Sequence, residues 1–460
     1  MKENTLKNPA RREALKLAGV GGAALLLGGT SAQAGATGPS KKKISKTHPL
    51  RIVIIGGGMA GTMLAYRLSR AVTWPEITVF EPQRYSAWYQ PGLALVGAGI
   101  WYEGEIRAER REYIPDSKHV HWLDRTVTAV DPEKRIVTDS EGKTTPYDYL
   151  IVASGARLDF GAVEGLEGVI DTMHSPMERE DWMDDPAIGS VYYLHGATQL
   201  PEQFDALADR AAKSDEKKLK VIFSQPGVTI KSPGAAKSIL SALLDKLEKE
   251  GVRDRVEILF VSGDGRLSAN DAYDKLYRKM LEKEGVAFAK KQVVAVDRQA
   301  RTARFDDGSE SAYDFLHIAP PMRVDTLFVN AGLTDDKGWI AVDEATLQHR
   351  KYSSVFAIGD AAGISALKTG SAIVDQAKTV VDAMRAQDEG RKTKTRYDGY
   401  GCDTVLCVGA EKALYESYNR SGKPEALFGF DALKCSRAYW YVDTRLLKPY
   451  VMEIAMRGWA

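Results

Sequence analysis

Gly56, Gly58 and Gly61, in "LRIVIIGGGMAGTMLAYRLSR", have the G-x-G-x-x-G spacing that suits a pyrophosphate. The first glycine of such a triplet allows a tight turn, the second a close approach of backbone to phosphate, and the third close packing of helix on strand. Met59 and Ala60 sit between the second and third, where the helix opens and its N-terminal dipole favours an anion. Glu81 closes the next apolar stretch, "EITVFEP", where an acid accepts from ribose hydroxyls. A second acid, Asp360, follows Gly359 in "VFAIGDAAG", after a late strand and before a helix. That placement suits the ribityl chain of a flavin better than a nicotinamide nucleotide, so the residues point to FAD. Other chemistries find no support. C-x-x-C-H for covalent haem and the G-x-S-x-G nucleophile elbow are absent, and the cysteines lack zinc spacing. His195, His317 and His349 are singly placed and read as structural.

Positioning these residues takes an α/β fold with two Rossmann-like dinucleotide-binding domains and a C-terminal amphipathic tail. The glycine triplet follows an apolar strand and opens a helix, and "EITVFEP" is the next strand, which makes a β-α-β unit. Residues 49–158 read as the first part of an FAD-binding domain. Residues 159–315 form a second, similar domain, with "LKVIFSQPG", "VEILFVSGD" and "GVAFAKKQVVAVD" as strands. Its helix, "AAKSILSALLDKLEKEG", has Ile239, Leu243 and Leu247 one turn apart and ends on Gly251. Residues 316–395, reached through "AYDFLHIAPP" and "YSSVFAIGDAAG", return to the first domain, and 396–460 form the tail. A nicotinamide-binding half would repeat the glycine fingerprint after "LKVIFSQPG". Pro226 and Pro233 occupy that loop instead and remove backbone donors, which argues against NAD(P)H.

The 460 residues, 44% hydrophobic and 27% charged, exclude a disordered chain and fill two or three cores. The first 34 residues hold five Lys/Arg and two Glu, so the remainder carries 58 basic and 60 acidic residues, which gives no reason to expect nucleic acid. Arg11 and Arg12, a Gly/Ala/Leu run and the small-x-small end Ala32-Gln33-Ala34 have the pattern of a twin-arginine signal peptide over residues 1–34, cleaved after Ala34. The run is too short and glycine-rich to favour a spanning helix. A basic linker, Ser40 to Lys46, follows, and a periplasmic mature protein is expected.

"LIVASGA", with Ala153, Ser154 and Gly155, resembles the Ala-Thr-Gly segment where flavoproteins of this fold cross between domains. Val127 is placed with these residues on the cofactor wall. "IAPPMRVDTLFVNAGLTDDKGWIAVD" and "YDGYGC…LFGFDALKCSRAYWYVDTRLLKPYVMEIAMRGWA" are similar to segments of the sulfide:quinone oxidoreductase and flavocytochrome c sulfide dehydrogenase superfamily. The resemblance covers nearly all of the chain after residue 50. It implies an FAD-dependent enzyme passing electrons from a small, sulfur-containing reductant to quinone or, in the flavocytochrome type, to a separate c-type cytochrome. It places Lys368 of "LKTG" beside the isoalloxazine, where a positive charge stabilises reduced, anionic flavin.

The family uses a cysteine pair beside the flavin, and here Ser232 and Ile340 stand at two such positions. A non-catalytic flavin-binding accessory protein is the reading that follows if sulfur chemistry went with them. Cys402, offset by one residue from another family position, and Cys407 are the candidates for a displaced sulfur relay; a structural thiol or disulfide among Cys402, Cys407 and Cys435 is the alternative. No cysteine precedes Cys402, so the FAD is expected to be held non-covalently. From Leu427 the tail interleaves Phe428, Phe430, Tyr439, Trp440, Tyr441, Leu446, Leu447, Tyr450 and Trp459 with Lys434, Arg437, Arg445, Lys448 and Arg457. That mixture suits a surface helix at a membrane interface, or one packed on its own domain or a second subunit.

Overall fold

The computed structural model describes residues 47–83, 88–171, 180–214, 218–427 and 429–460. The twin-arginine segment, its cleavage point after Ala34, the linker Ser40 to Lys46 and Phe428 lie outside the described residues.

Two five-stranded parallel sheets organise the chain. The first is built on Leu50–Ile55, whose neighbours are Pro75–Phe80 on one side and Tyr149–Val152 on the other; Val120–Leu123 and Val355–Ala357 complete the edges. Its central strands are almost wholly apolar and buried, as parallel strands covered on both faces must be. Val355–Ala357 arrives some 200 residues after Tyr149–Val152, so the first domain is indeed interrupted. The helix Met59–Ala71 follows the glycine triplet and packs on this sheet through Met63, Leu64, Ala65 and Leu68.

The second sheet runs Ile188–Gly189, Phe315–Ile318, Leu219–Gln225, Val256–Ser262, Ala287–Lys290. Phe315–Ile318 pairs with Leu219–Gln225, so "AYDFLHIAPP" closes the second sheet rather than opening the return to the first, and the boundary expected at residue 315 falls later. The reason is visible in the residues. "YDYLIVA" and "YDFLHIA" are both short apolar runs, and each is a central strand of its own sheet, so composition cannot say which. "GVAFAKKQVVAVD" also divides: Ala287–Lys290 joins the parallel sheet and Val293–Asp297 begins a three-stranded antiparallel layer. The same kind of layer, Val127–Asp131 with Ile136–Asp139 and Thr144–Pro146, precedes the closing strand of the first domain. The two domains are thus structural repeats.

The tail begins with a hairpin, Gly401–Leu406 paired with Ala413–Tyr418. A helical run then extends from Arg437 to Ala455, alternating α and π turns. Its Tyr439, Met452, Ala455 and Met456 are buried against the chain itself. Tyr439 stacks on Tyr415 of the hairpin at 4.6 Å, and Glu453 accepts from the Tyr113 hydroxyl at 3.1 Å, which moors the helix to the first domain. A disulfide, Cys407–Cys435, ties the hairpin to the segment leading into the helix. Among the described residues no helix is long and apolar enough to cross a membrane.

Candidate functional site

The glycine turn is shaped by contacts that no side chain could survive. Gly56 has φ +101°, and a Cβ there would lie 2.5 Å from the Ala153 carbonyl oxygen; at Gly61 it would lie 1.9 Å from the Gly56 oxygen. The first glycine therefore lets two strands meet at the turn, and the third lets the helix sit on it. At Gly58 a Cβ would meet no atom of the described residues within 4 Å. That side faces a cavity of about 1130 Å³, so the backbone there is open to an approaching group.

This cavity gathers every expected cofactor residue except Gly61, which sits in the helix on the side packed against the glycine turn and strand. Gly56, Gly58, Met59, Ala60, Glu81, Val127, Ser154, Gly155, Gly359, Asp360 and Lys368 all line it. Glu81 accepts from the backbone N–H groups of Gly57 and Gln83, both at 2.8 Å, which fixes its carboxylate across the glycine turn. Burial pushes its carboxyl up, opposed by those two bonds. The donors at the turn, the open approach at Gly58 and two wall carboxylates match the phosphates and hydroxyls of a dinucleotide, so the residues fit FAD.

At the far end of the cradle Asp360 faces two ammonium groups. Lys368 is almost wholly buried; its Nζ donates to the carbonyl oxygens of Asp360 (2.8 Å) and Ala362 (2.6 Å) and lies 3.9 Å from the centre of the Trp339 ring. Lys231 is equally buried, lines the same cavity and is bridged to Lys368 through the backbone. Burial brings each lysine down to about 8, against the pull of Asp360, and it pushes the Asp360 carboxyl up against the pull of both lysines. Sequence reading missed Lys231. Its only signal was its place next to Ser232, because a lysine in a proline-rich loop reads as solvated.

The cysteines do not form the expected relay. Cys407 is bonded to Cys435 and does not line the cavity, so the pair Cys402 and Cys407 is not assembled. The hairpin explains why. Cys407 is the residue just past the strand end, turned toward the start of the tail helix, while Cys402 is paired inside the ladder. Cys402 does line the cavity, but burial, reinforced by Asp403, pushes its thiol far above the ordinary range, the opposite of an activated thiolate. Ser232 is on the cavity wall, its hydroxyl-bearing residue held at φ +40°. Ile340 is fully buried behind the Asp360 loop, exchanging backbone bonds with Ala361 and Gly363.

The loop of the second domain is closed to a phosphate. The N–H groups of Gly227, Lys231, Ser232 and Gly234 already donate to Gln292 Oε1, Met322 Sδ, the Lys368 carbonyl and Asp403 Oδ2. A carboxylate of the chain itself occupies the helix N-terminus where a pyrophosphate would bind. The three singly placed histidines are structural. His317 accepts from the Val191 N–H and is pushed down to about 3 by burial, His349 accepts from the N–H groups of Lys351 and Tyr352, and His195 pairs with Asp184. Among the described residues no cluster of His, Cys, Asp and Glu could hold a metal ion.

From its flavin end the cavity continues to the tail, where Val442, Leu446, Leu447, Tyr450 and Val451 form an apolar wall. Tyr415 contributes to this wall, its hydroxyl buried away from the cavity with no hydrogen-bond partner among the described residues.

The family model for pyridine nucleotide-disulphide oxidoreductases matches residues 50–187 and 234–390. The mitochondrial sulfide:quinone oxidoreductase of Dictyostelium discoideum is 30% identical over 370 residues, which cover 79% of this chain and 76% of that protein. The mouse (Mus musculus) mitochondrial enzyme is 26% identical over 424 residues, covering 90% and 88%. In fold, the chain is similar to the solved sulfide:quinone oxidoreductase of Aquifex aeolicus, with TM-score 0.67 and 19% identity, covering 89% of this chain and 92% of that one. With its glycine cradle, its carboxylates and these relatives taken together, the chain belongs to the pyridine nucleotide-disulphide oxidoreductase family and is an FAD-dependent oxidoreductase of the sulfide:quinone oxidoreductase-like kind.

Proposed function

We propose that the protein oxidises a small reduced sulfur compound, sulfide being the simplest, and passes two electrons through FAD to a quinone. One observation carries this reading: a single cavity joins the flavin cradle to the apolar wall of the tail helix. Bound FAD supplies reversible two-electron transfer between a donor and an acceptor that need not meet. Around it the chain's residues divide the work. Lys231 and Lys368 supply positive charge at one end, and Leu446, Leu447 and Tyr450 give a hydrophobic ring a place to lie at the other. No protein thiolate relay is needed in this scheme, since the donor reaches the flavin directly.

We further place the enzyme in the periplasm, exported by the twin-arginine route and resting peripherally on the inner membrane. Support comes from Arg11 and Arg12 in the sequence, and from Phe430, Leu433, Tyr441 and Trp459, which remain exposed on the tail beside exposed Lys434, Arg437 and Arg445. Rings and cations so mixed suit the headgroup region. One experiment tests both statements. Protein recovered from the periplasmic fraction, beginning at Gly35, is expected to be bleached by anaerobic sulfide and to regain its colour with decylubiquinone. Leu446→Glu with Val451→Glu is expected to slow the second step at least tenfold and leave the first unchanged. Recolouring by cytochrome c and not by decylubiquinone would overturn the quinone reading, and recovery of the uncleaved chain from cytoplasm alone would overturn export.

The cysteine assignment is tested separately. Removing the Cys407–Cys435 link by Cys407→Ala with Cys435→Ala is expected to cost about 2–4 kcal/mol of stability, chiefly in the tail, from the closed loop that is lost. Bleaching by sulfide is expected to continue at the wild-type rate. A variant that retains its flavin yet no longer bleaches would restore a redox role to these two sulfurs.

A further inference from the structure

The scheme above has a proton requirement. If hydrosulfide becomes zero-valent sulfur, it releases one proton and two electrons, whereas a quinone taking two electrons takes two protons. The sum is HS⁻ + H⁺ + Q → S⁰ + QH₂, so one proton per turnover must enter a cavity whose walls are largely buried.

We propose that the tail hairpin conducts this proton: Asp403, on the cavity wall, exchanges protons through Glu416 and Ser268 with a surface groove beside Asn270 and Tyr418. The inference rests on the reading of sulfide as donor and quinone as acceptor. Its geometry is on the hairpin itself. Asp403 and Glu416 are directly opposite across the antiparallel ladder, so their side chains share one face. Asp403 is 7% exposed and Glu416 fully buried. Two carboxylates in that relation repel, and one of them is stabilised by holding a proton that it can share with the other.

From Glu416 the path is hydrogen-bonded. Its Oε1 accepts from the Ser268 hydroxyl at 2.5 Å and its Oε2 from the Tyr277 hydroxyl at 2.9 Å. The Ser268 hydroxyl also bonds with the Tyr418 hydroxyl, a group able to hand a proton on, while the Asn270 N–H that donates to Ser268 Oγ at 3.0 Å only orients it. Asn270 and Tyr418 line a second, open groove of about 860 Å³ on the outer side of the hairpin. Groups able to hold or pass a proton thus stand in order from the flavin cavity to the groove: Asp403, Glu416 opposite it in the ladder, Ser268 and Tyr418.

The groups facing Asp403 set its proton affinity. The Gly234 N–H donates to it, and Lys237 lies within the cluster, its Nζ held by the carbonyl oxygens of Pro233 and Leu267. Glu416 and Asp443 are the neighbouring acids; Cys402, Tyr192, Tyr277 and Tyr418 are the neighbouring weak acids. Burial, reinforced by Glu416 and opposed by Gly234 and Lys237, pushes the Asp403 carboxyl up to about 7. A group poised there both gives and takes a proton at neutral pH. An ordinary helix cap would be exposed and ionised, and Asn or Ser would serve as well. The bonds from Gly234, Ser268 and Tyr277 would anchor the hairpin with amides in place of the acids, whereas only acids can exchange a proton.

The experiment uses the flavin-loaded full chain. Infrared spectra of the resting enzyme are expected to show protonated-carboxyl absorption that fades as pH rises through neutrality and loses one component in Asp403→Asn, the component left belonging to Asp443. In stopped flow with a pH dye, sulfide and decylubiquinone, the wild type is expected to take up one proton per quinone reduced. Asp403→Asn and Glu416→Gln are expected to slow that uptake at least tenfold, with millimolar formate restoring part of the rate. Variants with full flavin content and wild-type proton uptake would overturn the conduit. Should either variant fail to retain flavin, Ser268→Ala, which removes only an outer hydroxyl, decides the matter: unchanged uptake overturns the proposal and slowed, formate-rescued uptake supports it. A wild type that does not turn over with these two substrates would instead overturn the functional reading, and the proton demand with it.

Discussion

Gly61→Val is expected to yield protein with less than about a tenth of the wild-type flavin, seen as loss of the yellow colour relative to the protein absorbance. The cause is steric and local. Even a single Cβ at residue 61 would stand 1.9 Å from the Gly56 oxygen and 3.3 Å from Ile54 Cγ2, so the helix Met59–Ala71 has to leave the strand it rests on. Moving the helix re-aims its N-terminus and opens the turn that presents the Gly57 and Gly58 backbone. The anion site is then lost even though no residue touching the cofactor has changed. Gly58→Ala is the control. Its Cβ meets no atom of the described residues within 4 Å, so the fold is expected to be intact, while the methyl group stands in the space a pyrophosphate uses and weakens flavin retention. Loss of flavin also removes the stability that ligand binding confers, about 3–4 kcal/mol at a hundred- to thousandfold excess over the dissociation constant. A Gly61→Val protein that purifies with full flavin would show that the turn does not carry the cofactor.

The residues of that turn were legible because their roles are set by neighbours a few positions away. Gly56 must turn, Gly61 must be bare, and the spacing records both. Glu81 and Asp360 were legible for a related reason, since each ends a strand, and strand ends of one parallel sheet meet at one edge. What escaped depends on contacts across long separations. Phe315–Ile318 and Tyr149–Val152 have nearly the same residues, and only pairing assigns them to different sheets. Cys407 is linked to Cys435 because the hairpin and the tail helix meet there, a juxtaposition that cysteine spacing does not encode. Nothing in the local sequence marks Lys231 or Asp403, yet both are buried at the cavity; burial of a charge is a property of the surroundings, not of the residue. The amphipathic helix read from Leu427 begins at Arg437, and the hairpin Gly401–Tyr418 before it was not read; the helix's apolar face is shared, part buried against the chain, part lining the cavity, with a few rings outside.

Lys368→Met is expected to lower the two-electron potential of the bound flavin by on the order of 50–80 mV, and to slow bleaching by sulfide about tenfold or more. A unit charge bordering the same cavity is worth about 2–4 kcal/mol at an effective dielectric near 20, and 1.4 kcal/mol corresponds to about 30 mV for a two-electron couple. Only part of that difference is felt in the transition state, which keeps the rate effect below the full equilibrium factor. Methionine retains the length and apolar packing of the stem, so the change is mainly one of charge, although the bonds from Nζ to the Asp360 and Ala362 carbonyl oxygens are lost with it. The dependence on pH separates these two effects. Burial, opposed by Asp360, brings the Lys368 ammonium down to about 8, so raising the pH through that value removes its charge in the wild type as well. The potentials of wild type and variant are therefore expected to differ most at pH 6–7 and to converge by about pH 9.5, as read by redox titration against indicator dyes. A gap that stays constant over this range would assign the effect to the lost hydrogen bonds instead. Lys231 titrates in the same range and faces the same carboxylate, so Lys368→Met keeps part of the extra slope; adding Lys231→Met is expected to leave only the roughly 30 mV per pH unit of the flavin's own proton uptake.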